Sequence, residues 1–272
     1  MQSALFFDWY SASIQAPVET VVGLLHLAYN GHVWEIATPR HGYTHSDKLV
    51  NPAGDTVLQI MYGGSSQGSK VHVSSSGVHA HRFACAVREA FPVHEVVRVD
   101  VAIDYDDQGV WRSLYAHGVA VSTATSVSNR FIGEAETENN DVTDSGRSLY
   151  IGSRSSVSMI RIYEKGKKDD KTRPNWVRAE FEFKPKTNRS AFAQMSPLDI
   201  VNNTKLGRAF FSQLVGSVKS KPVKCGTVRL ETDHERSLRH LKTQYQNILL
   251  AELKRLDGCY ESLGLSLLSD IA

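Results

Sequence analysis

The chain has 272 residues, a formal net charge of +2 at pH 7 and 22% charged residues, the composition of an ordinary globular protein with one large core or two small ones. No apolar run approaches the length that spans a bilayer, and the first residues lack the basic segment of a secretory signal, so we expect a cytoplasmic protein with no membrane contact. The widely spaced cysteines include no CxxC pair, which argues against a disulfide framework and against a cysteine zinc site.

The first two thirds of the chain mix predicted strands with predicted helices. Alternating apolar residues predict strands, and apolar residues three and four positions apart predict helices. The polar stretch at 133–145 is expected to be an exposed hairpin tip or loop. Predicted strands cover 5–14, 32–38, 55–62, 70–74, 96–104, 118–123, 157–164 and 176–184, and predicted helices cover 18–29, 78–90 and 109–117.

Two local patterns resemble ligand sites. The glycine-rich and serine-rich turn at 63–69 looks like a phosphate-binding loop, but it lacks the GK[ST] ending, so we discount it. His79 and His81 resemble the His-apolar-His metal pair of one large group of DNA-nicking enzymes. They lie at the start of a predicted helix, where residues two apart do not face each other, so metal binding is the less favoured interpretation.

Three predicted strands share one pattern, with an apolar face and a polar face. Such strands predict an α+β fold, a largely antiparallel sheet with one polar catalytic face and helices packed on the other. The polar residues are Arg98, Asp100 and Asp104 on the first strand, Met159, Arg161 and Tyr163 on the second, and Trp176, Arg178, Glu180, Glu182 and Lys184 on the third.

A phenol, guanidinium groups and carboxylates on one face are the parts of a metal-assisted phosphoryl transfer. Tyrosine supplies an oxygen nucleophile, carboxylates bind a hard divalent cation, and arginines bind phosphate oxygens in a fork. Lys165, beyond Tyr163 on the same face, is expected to lower the pKa of the phenol or to bind phosphate. The alternative is a solvated sheet face with ordinary cross-strand ion pairs.

Basic residues crowd the connection that follows Tyr163, where Lys165, Lys167, Lys168, Lys171 and Arg173 occur within nine positions. A basic loop beside a polar face suits a polyanion such as DNA. The alternative is a hairpin tip that lysines keep soluble.

The rest of the chain is predicted to be helical, at 190–194, 197–202, 207–214 and 232–256. Thr232 and Glu235 form a capping box at the start of the long last helix. We interpret the apolar stripe of that helix as core packing in preference to a partner site. Its basic face could contact DNA or be an ordinary wet surface. We therefore expect an α+β domain at 1–189 and a helical C-terminal region at 190–272.

Four blocks of sequence carry the polar residues described above, in a fixed order. They are RVDVAID at 98–104, LYIGSRS at 149–155, RIYEK at 161–165 and RAEFE at 178–182. Together they resemble the rolling-circle initiators of the replication initiation factor (Rep_trans) family, over about residues 6–256. Members of that family occur on small plasmids of Gram-positive bacteria and in filamentous phages of Gram-negative bacteria. The segment at 232–250 is similar to phage-encoded members.

The resemblance implies an enzyme that nicks and rejoins one DNA strand at a replication origin. Tyr163 matches the nucleophile that becomes linked to the 5′ phosphate and leaves a 3′ hydroxyl as primer. The family's acidic positions make Asp100, Asp104, Glu180 and Glu182 the candidates for binding Mg²⁺ or Mn²⁺. Arg161 and Lys165 are expected to assist Tyr163, and DNA contacts are expected from Arg98, Arg154, Lys167, Lys168, Lys171, Arg173 and Arg178.

The implied partners are origin DNA, double-stranded, as a hairpin or as a single-stranded nick site, and a second copy of the chain. A host helicase and a single-strand-binding protein are further implied partners in the cytoplasm of a bacterial host. A filamentous phage or prophage is the expected source. The chain departs from plasmid relatives in having a helical tail and no obvious long specificity segment before that tail, which leaves origin recognition unassigned.

Three alternatives to this function stay open. Tyr150 is the rival nucleophile, and Tyr163 is preferred because its block matches better and because its predicted strand faces the carboxylates. A chain with this fold could instead be a DNA-binding regulator or an inactive prophage remnant without catalysis. A metal-dependent nuclease that uses water would cut the strand without forming an adduct.

Overall fold

The computed structural model describes residues 4–133, 146–216, 221–226 and 232–269, and the chain divides into two compact units. The first unit, residues 1–227, is built around one antiparallel sheet. Within these residues the strand order is β2-β3-β4-β5-β1-β6-β10-β9-β8-β7. The strands are β1 (Phe6–Gln15), β2 (Val33–Ile36), β3 (His45–Val50), β4 (Thr56–Tyr62), β5 (Lys70–Ser76), β6 (Glu95–Asp106), β7 (Asn129–Ile132), β8 (Ser148–Ile151), β9 (Ser158–Tyr163) and β10 (Trp176–Phe183).

Helices cover one face of this sheet. The helices of the first unit are α1 (Val18–Ala28), α2 (Ala80–Ala90), α3 (Val110–Thr125), α4 (Lys165–Asp169), α5 (Pro197–Asn202) and α6 (Lys205–Val215). Helix α2 packs on β1 and β5, helix α3 packs on β8, β9 and β10, and helix α6 packs on β9. The expected α+β fold, with a largely antiparallel sheet and helices on one face, is confirmed.

The buried core lies between the sheet and these helices. Side chains that point to the helices are fully buried, for example Val101 on β6, Ile160 on β9 and Phe181 on β10. Burying a side chain of this size contributes about 1.5–3 kcal/mol, so the strand register is strongly fixed. The alternate residues of the same strands therefore have to share the opposite face, as the sequence pattern predicts.

The prediction of a strand at 118–123 is wrong, because α3 continues through this segment to Thr125. Gly118 lets the helix approach the sheet closely, since a Cβ at this position would lie 2.8 Å from Ile162 Cδ1 and 2.9 Å from Leu149 Cδ2. The local β-branched pattern is thus overridden by packing on the sheet. The strands β3, β7 and β8, the helix α4 and a last helix at Tyr260–Leu268 were not predicted, and the helix predicted at 190–194 is a 3₁₀ turn at Arg189–Phe192.

The second compact unit, residues 228–272, contains α7 (Asp233–Arg255) and α8 (Tyr260–Leu268). The predicted capping box is present, because Thr232 accepts a hydrogen bond from the Glu235 amide and Glu235 accepts one from the Thr232 amide. Neither of these two described helices has a buried residue. Leu238, Leu241 and Tyr245 of the apolar stripe remain 42–46% exposed, so the stripe forms no core within this unit.

Three further expectations concern membrane helices, the polar stretch at 133–145 and the division of the chain. No helix in the described ranges is both long and apolar enough to cross a membrane. The predicted loop at 133–145 lies outside the described residues, except for residue 133. We expected a catalytic domain at 1–189 and a helical region at 190–272, and this division by function stays a prediction. The helices α5 and α6, which follow residue 189, belong to the first compact unit.

Candidate active site

Cross-strand pairing places the predicted residues in three rows on the polar face. Residues that are directly opposite on antiparallel strands point to the same face and have neighbouring side chains. All four candidate metal ligands share this face with Tyr163. The rows are Asp104–Arg178–Tyr163–Ser148, Glu180–Arg161–Tyr150 and Asp100–Glu182–Met159.

Tyr163 is the last residue of β9, and its hydroxyl donates a 3.4 Å hydrogen bond to Glu180 Oε2. Its side chain is covered, because the Arg161 guanidinium lies 4.8 Å and Lys165 Nζ 5.9 Å from the ring centroid. Only 8% of the residue is exposed. Burial and then Glu180 raise the pKa of Tyr163, against the opposing charges of Arg178 and Arg161, so the phenol is protonated at neutral pH.

Glu180 connects the tyrosine to an arginine. Arg161 Nη2 lies 2.6 Å from each oxygen of this carboxylate, whose side chain is 3% exposed. Although burial lowers the pKa of Arg161, Glu180 raises it by more, so the guanidinium stays charged. A carboxylate in this position can accept the phenol proton, and the Arg161 guanidinium, which lies against the ring, can then stabilise the negative charge on the Tyr163 oxygen.

Arg178 is clamped by two carboxylates, one of which sequence reasoning missed. Asp104 binds it in a bidentate pair, with Nε to Oδ1 and Nη2 to Oδ2 both at 2.7 Å. Asp8 Oδ1 accepts from Nη1 at 2.6 Å. Burial and the nearby Glu180 raise the pKa of Asp8, and Arg178 opposes them. A lone aspartate inside an otherwise aromatic and apolar strand was the signal that could have found Asp8.

Arg98 joins two further carboxylates of the face. Its Nη2 lies 2.5 Å from Asp100 Oδ2 and 2.8 Å from Glu182 Oε2, and its guanidinium lies 4.7 Å from the centre of the Trp9 ring. Burial raises the pKa of Asp100 to about 7, with the carboxylates of Glu180 and Glu182 adding to the effect against Arg98. Asp100 is therefore a buried carboxylate that has two other carboxylates and one guanidinium around it.

Four carboxylates of the polar face are the candidate ligands for a divalent cation. Asp100, Asp104, Glu180 and Glu182 supply hard oxygen donors, the type that Mg²⁺ and Mn²⁺ take. Each of them is held by a guanidinium, and in the described residues no three His, Cys, Asp or Glu side chains are arranged to hold a metal ion. Asp100 and Glu182, which share one nitrogen of Arg98, are the best-placed pair, and Asp104 is committed to Arg178.

Tyr150 lies on the same polar face as Tyr163, directly opposite Arg161. The orientation of the strands therefore does not distinguish the two tyrosines, contrary to the expectation that only Tyr163 faces the carboxylates. Tyr150 is partly exposed, whereas Tyr163 is buried. The contact between the Tyr163 hydroxyl and Glu180 is what separates them.

The basic connection after Tyr163 folds into the short helix α4. Lys165 is thus not part of the strand, although its Nζ still lies near the Tyr163 ring and 2.5 Å from Asp169 Oδ2. Lys167 pairs with Glu164 at 3.0 Å. The remaining predicted DNA contacts in this region, Lys168, Lys171 and Arg173, are exposed, as is Arg154 in the turn after β8.

Arg147 and Glu164 form a buried ion pair at the end of β9. Arg147 Nη2 donates to Oε1 at 2.8 Å, and its Nε and its backbone amide donate to Oε2 at 2.9 Å. The two side chains are 6% and 5% exposed. Because Glu164 directly follows Tyr163, this pair fixes the backbone that carries the phenol.

Comparisons with known proteins agree with this architecture. A model of the family described as replication initiation factor matches residues 94–258, so the chain belongs to that family. A solved structure of a rolling circle replication initiator protein from Geobacillus stearothermophilus is similar in fold, with a TM-score of 0.53 and 19% sequence identity. The similarity covers 86% of this chain and 91% of that chain. A search of curated proteins found no match.

Proposed function

We propose that this protein starts rolling-circle replication by nicking and rejoining one DNA strand at an origin, with Tyr163 as the nucleophile. The observation that supports this proposal is the Tyr163 hydroxyl, which donates to Glu180 between two arginines on a shared sheet face. Membership of the replication initiation factor family supports the replication role. The rolling-circle mode is supported by the similar fold of the Geobacillus stearothermophilus protein, which is a rolling circle replication initiator.

In the proposed reaction, the Tyr163 oxygen attacks the scissile phosphorus and the phenol proton passes to Glu180. The bond between phosphorus and the 3′ oxygen breaks, the 3′ oxygen takes up a proton from solvent, and Glu180 later releases the phenol proton to solvent. The products are a 5′-phosphotyrosyl adduct and a free 3′ hydroxyl that can prime synthesis. No water is consumed, so a 3′ hydroxyl can later attack the adduct and rejoin the strand without ATP.

The arginines of the face are proposed to bind the phosphate. Arg161 is next to the phenol in space and 30% of its side chain is exposed, so it can exchange part of its contact with Glu180 for a phosphate oxygen. The same movement uncovers the phenol. Arg178 is held by Asp8 and Asp104 and supplies a fixed positive charge. Lys165 Nζ also lies 5.9 Å from the centre of the tyrosine ring.

A divalent cation, Mg²⁺ or Mn²⁺, belongs to the proposal. Asp100 and Glu182 would hold it, with Glu180 and Asp104 as the further candidates from the sequence. When bound, such an ion polarises a phosphate oxygen and stabilises the departing 3′ oxygen. Burial is the main cause of the raised pKa of Asp100, and the neighbouring carboxylates of Glu180 and Glu182, which add to it, are further oxygen donors for a cation there.

Strand binding is proposed to use basic residues on and around this face. The exposed ones are Lys168 in α4, Lys171 and Arg173 after it, and Arg154 in the turn after β8, and they would bind backbone phosphates without sequence preference. The other proposed contacts are Lys167 and Arg98, which are partly exposed, and Arg178, whose side chain is 7% exposed. A second copy of the chain, a host helicase, a single-strand-binding protein and a phage or prophage origin complete the proposal.

A second candidate function is a DNA-binding regulator that keeps the fold without catalysis. The observation that favours it is the cover over Tyr163, of which 8% is exposed. The two functions differ in one outcome, because only the enzyme forms a covalent adduct with DNA.

The decisive experiment incubates the protein with supercoiled plasmid that carries the cognate origin and with Mg²⁺ or Mn²⁺. We expect nicked plasmid with protein attached to the 5′ end, loss of attachment in Tyr163→Phe and retention in Tyr150→Phe. Removing the cation with EDTA should abolish nicking. Attachment that is lost in Tyr150→Phe but kept in Tyr163→Phe would move the nucleophile, and free 5′ ends without adduct would indicate hydrolysis by water.

A further inference from the structure

Asp8 lies on β1, outside residues 94–258 that the family model matches, yet its carboxylate reaches the row that contains Tyr163. We propose that Asp8 is a positioning residue for strand transfer, which holds the Arg178 guanidinium beside the phenol. This inference rests on the proposed function of Tyr163.

A β-bulge directs Asp8 to the polar face. Phe7 pairs with Val101, but Trp9 already pairs with Asp100, so β1 has one residue more than β6 at this point. Phe7 and Tyr10 are both buried in the core, which leaves Asp8 and Trp9 together on the polar side. A bulge commonly re-aims a side chain in this way beside an active site.

The contact crosses a whole strand. In the sheet, β6 lies between β1 and β10, so Asp8 and Arg178 are not neighbours by strand pairing. Ala102 of β6 is opposite Phe6 on one side and Glu180 on the other. It contributes only a methyl group to the polar face, which leaves room for the carboxylate of Asp8 to reach Arg178 Nη1 at 2.6 Å.

The clamp fixes the guanidinium from two sides. Asp104 holds Nε and Nη2, and Asp8 holds Nη1, while the Arg178 side chain is 7% exposed and lies over the Phe6 ring at 5.1 Å. Asp104 alone fixes one edge of the plane. Asp8 fixes the other edge, and so determines which N–H groups remain directed toward Tyr163, the residue opposite Arg178 on β9.

Asp8→Asn keeps the shape of the side chain but removes its charge, so the contact with Arg178 Nη1 is weaker and the guanidinium is less constrained beside Tyr163. Asp8→Glu keeps the charge, so its carboxylate can still accept from Nη1. A positioning role for Asp8 predicts a lower rate of adduct formation with unchanged binding of the DNA strand, whereas a general loss of structure lowers both.

The test measures single-turnover adduct formation on a single-stranded oligonucleotide that carries the mapped nick site. For Asp8→Asn at pH 7.5 we expect a rate constant about tenfold to hundredfold lower, the range that misplacement of a catalytic group produces. The Kd for the same oligonucleotide should stay within about twofold. Asp8→Glu, which keeps the charge, should recover part of the rate. Glu95→Gln is the control, since it removes an exposed ion pair between the start of β6 and Lys70 on β5, and it should match the wild type.

The outcomes separate this inference from the proposed function. Adducts that persist in Tyr163→Phe would overturn both. Adducts that need Tyr163 but form at the wild-type rate in Asp8→Asn would overturn the role of Asp8 alone. A slow Asp8→Asn enzyme whose Kd rises by more than about twofold and whose rate is not recovered in Asp8→Glu would also overturn it, because that pattern indicates a general loss of structure.

Discussion

The buried pair of Arg147 and Glu164 permits a prediction with a magnitude and a sign. Replacing Arg147 with Met removes the guanidinium, but the backbone amide and Lys167 still contact the carboxylate. Breaking a buried ion pair from one side costs about 3–5 kcal/mol, and the remaining contacts place the expected loss at the lower end, about 3 kcal/mol. For a unit of this size that corresponds to a melting temperature lower by about 6–12 °C.

The loss should depend on pH in a defined direction. Burial raises the pKa of Glu164, but the hydrogen bonds from Arg147 outweigh it and hold the pKa below its ordinary value of 4.5. The stabilisation is therefore present above pH 4.5 and is lost as the pH falls through the folded-state pKa. Urea unfolding at pH 7 and at pH 4 should show a smaller difference between the wild type and Arg147→Met at the lower pH.

Two controls make this measurement decisive. The double variant Arg147→Met with Glu164→Gln removes both charges and should recover much of the lost stability. Arg173→Met breaks an exposed pair with Asp106 and should cost less than about 1 kcal/mol. A loss in Arg147→Met that is below about 1 kcal/mol, or equal at both pH values, would refute the assignment of a buried charge pair.

Two further predictions concern the loop after the tyrosine and the carboxylate with the raised pKa. Gly166→Ala should slow adduct formation and lower the melting temperature, because the added Cβ would collide with the Arg173 carbonyl oxygen and displace α4; equal melting curves would contradict the close packing. Folding raises the pKa of Asp100 from its ordinary value of 3.8 to about 7. The contribution of this protonated carboxyl to the stability of the wild type should therefore be lost as the pH rises from 3.8 through about 7. Asp100→Asn should lack this component in thermal melts from pH 5 to 8, and an unchanged dependence would assign it to another group.

The alternation of residues in β6, β9 and β10 was sufficient to predict the polar face from sequence. The period of two gives Arg178, Glu180 and Glu182 one direction, and burial of the intervening residues leaves no other register. Pairing of these three strands with one another followed from the shared pattern. The local sequence therefore predicts which residues of the candidate site share the polar face.

Other features depend on contacts that no local pattern contains. A bulge shifts the register of β1 by one residue, so the position of Asp8 could not be obtained by counting. The cover over Tyr163 comes from side chains of Arg161 and Lys165, and rotamers are not encoded by alternation. The continuation of α3 through Gly118 depends on the side chains of β8 and β9 that it packs against.

The bond between Asp8 and Arg178 joins residues 170 positions apart. Closing so long a segment is entropically unfavourable until the strands between them are in place, so this contact is expected to form late in folding. During synthesis, β1 can make this contact only after β10 has emerged. Translation products that end before β10 lack both Arg178 and Glu180, so we expect them to lack the proposed nicking activity.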